Sequence, residues 1–227
     1  MMRRPVTTLF MLISVDGKIS TGSTDDLDVD KDFPEIIGVK EGLQQYYDIE
    51  QTTDLWTLNS GRVQAKVGVN ERPMSEKCNI SFVIIDNTHL SERGIEYFSK
   101  RAKTFVLVTS NKNHPVYKMN HENINIIYQE TFDPAELLSS LYNDYGCERI
   151  TIQTGGTLNE IFLRAKLLDY IDIVVAPVLI GGKDTSTLID GYSLRSKNEL
   201  DMLGVLELEK CIVLNDSYIR LRYKVIR

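Results

Sequence analysis

Ile150-Thr151-Ile152-Gln153-Thr154-Gly155-Gly156-Thr157-Leu158 reads as a β-branched strand that ends in two glycines and turns directly into a helix. Beyond Gly156 the apolar residues Leu158, Ile161, Phe162, Ala165 and Leu168 recur at intervals of three and four, one face of an α-helix. A strand feeding a helix through a tight turn is the building unit of a parallel sheet covered by helices. The junction also has a chemical reading. The first turn of a helix carries N–H groups without intrahelical partners and a partial positive charge, and a glycine pair lets an anion approach the backbone closely. The spacing is not the GxGxxG of the common dinucleotide fold, so on its own the junction is also an ordinary tight turn.

Outward from this junction the chain keeps the same rhythm. Apolar and β-branched runs bounded by turn residues predict strands at Val6 to Val15, Asp54 to Leu58, Ile80 to Ile85, Thr104 to Val108, Ile124 to Tyr128, Arg149 to Gln153 and Ile171 to Ala176. Two more, Leu203 to Leu214 and Tyr218 to Val225, are joined by a hairpin turn at Asn215-Asp216-Ser217. Asp133-Pro134-Ala135-Glu136 predicts a helix start. Asp133 caps it, Pro134 takes the first helical position, and Glu136 completes a capping box. A further helix is expected between Asp30 and Tyr47. The alternation implies an α/β sandwich of three layers: a mixed, mostly parallel central sheet, helices on both faces, and an antiparallel C-terminal hairpin. No repeat or linker interrupts it, so residues 1–227 are expected to form a single domain.

Composition narrows the function. The formal net charge of -6 argues against a nucleic-acid-binding face, though not against a local basic pocket. Cys78, Cys147 and Cys211 have neither disulfide-framework nor zinc spacing. His89, His114 and His121 lack metal-ligand spacing and read as surface or loop residues. Leu9 to Ile13 is too short to span a membrane and reads as the first strand rather than a signal peptide, so a cytoplasmic protein is expected. No GxSxG, HExxH or P-loop motif points to nucleophilic or metal catalysis.

Four other strand ends could face a ligand. Asn59-Ser60-Gly61-Arg62-Val63 sets a guanidinium just past a glycine, where it can pair with a phosphate. Ser14-Val15-Asp16-Gly17-Lys18 puts a carboxylate and an ammonium at a strand end, where open α/β sheets bind ligands. Thr109-Ser110-Asn111-Lys112 offers hydroxyls, an amide and a lysine for a ribose and its phosphate. Ala176-Pro177-Val178-Leu179-Ile180-Gly181-Gly182 leads a strand through a proline to a glycine pair that can line a flat ring.

The ordered set Arg4-Pro5, Ser14 to Lys18, Gln153 to Leu158 and Ala176 to Gly182 resembles the C-terminal reductase domain of the riboflavin-biosynthesis enzymes and free-standing pyrimidine reductases, of the dihydrofolate-reductase-like fold. The resemblance implies NADPH as cofactor and a homodimer. It places Asn59, Ser60, Gly61, Arg62 and Val63 at the cofactor phosphates, and Thr154, Gly155, Gly156, Thr157 and Leu158 at the pyrophosphate. Ser110 and Lys112 fall at the adenosine end, and Pro177, Ile180 and Gly181 near the nicotinamide. Asp16, Lys18 and Gln153 fall to the catalytic side, with Asp16 orienting the substrate and Lys18 balancing its charge. The implied reaction opens the ribose of an aminopyrimidine ribosyl phosphate and delivers hydride to C1′, giving a ribityl chain.

The chain departs from the family pattern in three places. Gln153 stands where Glu is frequent, and an amide carries no charge and transfers no proton. Gln64 to Asn70 replaces an Asp-Asp-Pro-type run. Asp25, Asp26, Asp28 and Asp30 crowd the segment where the family contacts the substrate phosphate, which they would repel unless they point away. Two alternatives follow. One is a dihydrofolate-reductase-like reductase of another pyrimidine- or pteridine-like small molecule. The other is a non-catalytic sensor that binds NADPH or another nucleotide.

Overall fold

A computed structural model describes residues 3–226. Its strands are β1 (Val6–Ser14), β2 (Trp56–Ser60), β3 (Ser81–Ile85), β4 (Phe105–Thr109), β5 (Ile124–Tyr128), β6 (Arg149–Gln153), β7 (Tyr170–Ala176), β8 (Val205–Val213) and β9 (Ile219–Ile226). Its α-helices are α1 (Val29–Asp32), α2 (Lys40–Glu50), α3 (Gly61–Lys66), α4 (Glu92–Arg101), α5 (Pro134–Tyr145) and α6 (Gly156–Arg164). Every strand expected from the sequence is present, with ends displaced by at most about two residues, the usual latitude of such boundaries. The chain divides into two compact units: a central one of residues 3–5 and Asp54–Thr154, and a flanking one of Val6–Thr53 and residues 155–226.

The central unit orders its strands β5-β4-β3-β2-β6, all parallel. Parallel neighbours need a crossover, and helices supply it. α4 starts at Ser91, whose hydroxyl accepts the Gly94 N–H, and buries Ile95 and Phe98 against Ile84, Phe105 and Leu107. α5 starts at Asp133, as expected. Its Oδ1 accepts the N–H groups of Ala135 (2.8 Å) and Glu136 (3.1 Å). The capping box is not completed by Glu136. Gln129 intervenes: its Oε1 accepts the Asp133 N–H (3.2 Å), and its Nε2 donates to the Glu136 carboxylate (3.2 Å).

The flanking unit orders its strands β1-β7-β9-β8, with β1 and β7 parallel and the last two pairings antiparallel. The helix expected between Asp30 and Tyr47 is broken into α1, a 3-10 turn at Phe33–Glu35 and α2. Pro34 lies in that turn, and Gly38 follows it at φ 89°, a left-handed conformation that glycine adopts without steric penalty. The broken segment covers Phe10 and Leu12 of β1 and Val174 and Ala176 of β7. Tyr46 stacks on Phe10 at 5.2 Å between ring centroids. The hairpin turn is anchored from α2: the Asn215 N–H donates to Gln45 Oε1 (2.9 Å), and the fully buried Tyr218 donates its hydroxyl to the Val39 carbonyl (2.7 Å).

The hairpin is amphipathic in an unusual sense. Cross-strand partners share a face, and β8 carries one extra residue, Glu209, between the pairs Leu208–Tyr223 and Lys210–Arg222. One face is therefore Leu206, Leu208, Cys211 and Val213 with Ile219, Leu221, Tyr223 and Val225, all apolar. The other carries Lys210, Arg220, Arg222 and Lys224, and there Arg220 and Arg222 converge on the buried Asp172 of β7. All nine residues of β8 are exposed.

Replacing Tyr218 by Phe removes one buried hydrogen bond and should cost about 1 kcal/mol of stability. Phe10→Ala opens a cavity under Tyr46 and should cost about 3–5 kcal/mol. Urea unfolding followed by circular dichroism checks both.

Candidate functional site

In the central unit all five strands end on one edge, and each ends in or leads directly into polar residues. Ser60 Oγ caps α3 by accepting the Val63 N–H at 3.3 Å. Gly61 lies against Asp86, and a Cβ there would overlap the carboxylate, so packing alone demands glycine at this position. Arg62 is exposed. A polar chain runs across the ends of β2 and β6. Gln64 Nε2 donates to Asn59 Oδ1 (3.1 Å), Asn59 Nδ2 to Thr57 Oγ1 (2.9 Å), and Thr57 Oγ1 to Gln153 Oε1 (3.1 Å). The chain runs in one direction, so each amide is locked in one orientation and Gln153 turns its carbonyl toward Thr57. Thr154 is fully buried.

At the ends of β3 and β4 a carboxylate organises the loops. Asp86 accepts the backbone N–H groups of His89 (3.0 Å) and Leu90 (2.9 Å), and His114 Nε2 at 2.9 Å. Burial pushes its pKa up, but the hydrogen bonds from His114, Leu90 and His89 outweigh it and hold the carboxyl at about 2. His114, expected as a surface or loop residue, does lie in a loop but is fully buried, because its ring fills the space between this carboxylate and the 3-10 turn at Pro115–Lys118. Ser110 is exposed but tethered: its N–H and hydroxyl both donate to Asn87 Oδ1, at 2.8 and 3.1 Å. Lys112 is exposed and sits 5.3 Å above the ring of Tyr128.

In the flanking unit Asp16 and the 180–182 loop are one structure. Asp16 accepts the Ser14 hydroxyl (2.5 Å) and the N–H groups of Ile180 (3.1 Å) and Gly181 (2.6 Å). Led by the Ser14 hydrogen bond, these hold its pKa at about 2. Lys18 is buried, and its ammonium donates to the carbonyls of Gly182 (2.7 Å) and Thr185 (2.9 Å), so its charge is used to hold this loop. Pro177 follows β7, half-buried, and leads into the loop. Gly155 is the N-cap of α6 and makes no side-chain cap bond; Thr157 is exposed and Leu158 half-buried in its first turn. A Cβ on Gly156 would overlap the Thr187 carbonyl and the Asp190 carboxylate, so this glycine is required by the 187–190 turn that packs on it.

The acidic segment is largely local architecture. Asp28 caps α1 through the Asp30 N–H (3.0 Å), Asp32 accepts the Asp28 N–H (2.9 Å) and the Thr21 hydroxyl, and Asp30 accepts the Tyr47 hydroxyl (2.9 Å). Burial and the charge of Asp30 push the Tyr47 pKa up. Of the four, Asp28 is buried, while Asp25, Asp26 and Asp30 are exposed. Among the described residues no cluster could hold a metal ion, and no helix is long and apolar enough to cross a membrane.

Sequence reasoning missed Thr57, Asp86, Asn87 and the burial of His114. The signal for Asp86-Asn87 was present: it follows the apolar run Phe82 to Ile85, as Asn59-Ser60 follows the run Leu55 to Leu58. Nothing in the spacing of His114, 28 residues on, announced its partner.

The model of the RibD C-terminal domain family matches residues 5–214. A 2,5-diamino-6-ribosylamino-4(3H)-pyrimidinone 5′-phosphate reductase of Methanothermobacter thermautotrophicus is 24% identical over 221 residues, 95% of this chain and 96% of the relative. One of the same name from Archaeoglobus fulgidus is 25% identical, over 88% of this chain and 93% of the relative. Among solved structures, Acinetobacter baumannii RibD superposes with a TM-score of 0.68 at 16% identity, covering 99% of this chain. The chain spans only 59% of that longer protein. The Saccharomyces cerevisiae riboflavin biosynthesis reductase Rib7 gives 0.61 at 13% identity, covering 98% of this chain and 90% of that one. These two share the fold.

Because Asp86 is held near 2 against an ordinary 3.8, it stabilises the fold above pH 3.8, and that contribution disappears as the pH falls through 2. Between those limits the wild type should lose about 2 kcal/mol that an Asp86→Asn variant does not lose. Urea midpoints at several pH values between these limits give the comparison.

Proposed function

Because the chain belongs to the RibD C-terminal domain family, we propose that it is an NADPH-dependent reductase of riboflavin biosynthesis, converting the ribosyl group of an aminopyrimidine ribosyl 5′-phosphate to ribityl. The observation that carries this reading is the family match, which runs through both compact units and supports treating them as one reductase domain. The residues fit an anionic dinucleotide. Arg62 and Lys112 are exposed cations at strand ends, and α6 begins at a glycine that makes no side-chain cap bond.

Bound NADPH supplies the hydride, and the protein's task is to orient and exclude. By the family resemblance, Asn59, Ser60, Gly61, Arg62 and Val63 of the central unit would meet the cofactor phosphates, and Gly155, Gly156, Thr157 and Leu158 of the flanking unit would meet its pyrophosphate. Ser110 and Lys112 lie at the adenosine end and receive its 2′-phosphate. Pro177, Ile180 and Gly181 flank the nicotinamide, and Asp16 and Lys18 keep that loop in place through its N–H and carbonyl groups. Gln153 orients the substrate as a hydrogen-bonding group rather than a proton donor, since its amide does not ionise. The proton that completes the reduction then comes from water, directly or relayed through a substrate hydroxyl that water reprotonates.

A homodimer is part of this reading, and the apolar hairpin face supports it. Four exposed residues of β8 lie on a charge-free face, preceded by the exposed Leu200, Met202 and Leu203. A second copy of the same face is its natural cover, since an isologous contact sets like against like. The reading also includes a cytoplasmic location.

NADPH should bind in the micromolar range and NADH at least about tenfold more weakly, the difference of one charge-assisted contact. Trp56 opens β2 at the end remote from Ser60, so the emission of NADPH itself is the better signal. Consumption of NADPH with the aminopyrimidine ribosyl phosphate, and appearance of the ribityl product by mass spectrometry, would establish the reaction. Binding without turnover would favour the sensor; no binding by folded protein would end the reductase reading. Leu208→Lys should convert the dimer to a monomer in sedimentation equilibrium, whereas a wild type that is already monomeric would remove the dimer from the proposal.

A further inference from the structure

The loops after β3 and β4 close into a ring of contacts around a buried hydrogen-bonded couple, Asp86 and His114. Neither Asp86 nor His114 exposes its side chain. His114 Nε2 donates to Asp86 Oδ2 at 2.9 Å, while its Nδ1 accepts the Val116 N–H at 3.2 Å. Both ring nitrogens are therefore used, and the tautomer with the proton on Nε2 is the one that satisfies both contacts. From Asp86 the ring passes to Asn87. Its Oδ1 accepts the Thr109 hydroxyl (3.0 Å), the Ser110 N–H and the Ser110 hydroxyl, and its carbonyl accepts Asn111 Nδ2 (2.7 Å). The Asn111 carbonyl in turn accepts the His114 N–H at 3.1 Å, which closes the circuit. Residues 110–113 are thus held at both ends, and Lys112 projects from the middle of the held segment.

We propose that the buried Asp86–His114 pair sets the preference of this chain for a phosphorylated over an unphosphorylated pyridine nucleotide, by holding Ser110 and Lys112 in place to receive the 2′-phosphate. The inference rests on the NADPH reading above and adds to it a pair of positioning residues that touch neither cofactor nor substrate. Exposed loops are ordinarily mobile, and ordering one on binding weakens affinity; a loop already held by buried contacts avoids that loss. NADH carries no 2′-phosphate and draws nothing from this segment. Slackening the ring should therefore act on one nucleotide and leave the other alone, a split that a general loss of packing would not produce.

The test uses the full chain and three variants, with dissociation constants for NADPH and NADH measured from nucleotide fluorescence. His114→Leu removes the donor to Asp86, and His114→Gln keeps an N–H group within reach of it. Since His114→Leu strands a buried carboxylate and could unfold the chain, Asn87→Ala cuts the same ring at an exposed residue. The expected result is an NADPH Kd raised about tenfold in His114→Leu and Asn87→Ala, with the NADH Kd changed by less than about twofold and His114→Gln close to wild type. Equal weakening of both nucleotides in folded variants, or no change in either, would overturn the inference while leaving the reductase reading standing. Failure of the wild type to bind NADPH at all would instead remove the reading on which it rests.

Discussion

A strand that must be followed by a parallel neighbour cannot turn back on itself. The chain has to cross over and return, so every strand of such a sheet ends on the same edge. In the central unit this constraint does most of the organising. β2 ends at Asn59-Ser60, β3 leads into Asp86-Asn87, β4 into Thr109-Ser110-Asn111, β5 into Gln129, and β6 ends at Gln153-Thr154. Five apolar strands thus bring five polar strand ends to one edge, although they are far apart in sequence. The hydrogen-bond chain from Gln64 to Gln153 and the ring around Asp86 both follow from that convergence.

Elements whose signal is local were legible. The strands announced themselves by β-branched runs, α5 by Asp133-Pro134, and the final turn by Asn215-Asp216-Ser217, where Asp216 and Ser217 do adopt positive φ. What was not legible depended on partners distant in sequence. Glu136 has the right spacing to reach Asp133, but Gln129 takes its place. His114 looks like a loop histidine until Asp86 is set beside it. Lys18 looks like a charge awaiting a substrate until two carbonyls from a segment more than 160 positions away are seen to hold it. In each case the residue type indicated a hydrogen-bonding role, and only the fold supplied the partner.

The glycines teach the same lesson about motifs. Gly61 and Gly156 both stand where a phosphate-binding turn is expected, and both are also required by packing, one against Asp86 and the other against Thr187 and Asp190. In each case a carboxylate lies on one flank of the turn, so an anion must approach from the other. The acidic segment reads in a similar way. Asp28, Asp30 and Asp32 engage backbone N–H groups and the hydroxyls of Thr21 and Tyr47, so their charge is largely committed within the segment.

The extra residue in β8 has a consequence for how copies of this chain can meet. A straight, exposed edge strand is a template that a further strand can extend, and an apolar one invites growth into fibres. Glu209 interrupts the regular ladder in the middle of β8 and places a carboxylate at the interruption. Such an insertion bends the strand and strengthens its twist. The chain can therefore keep a sticky, charge-free face while denying its rim the regularity that endless stacking needs. In the proposed homodimer, that irregular rim would favour a contact that closes after two subunits over one that repeats without limit.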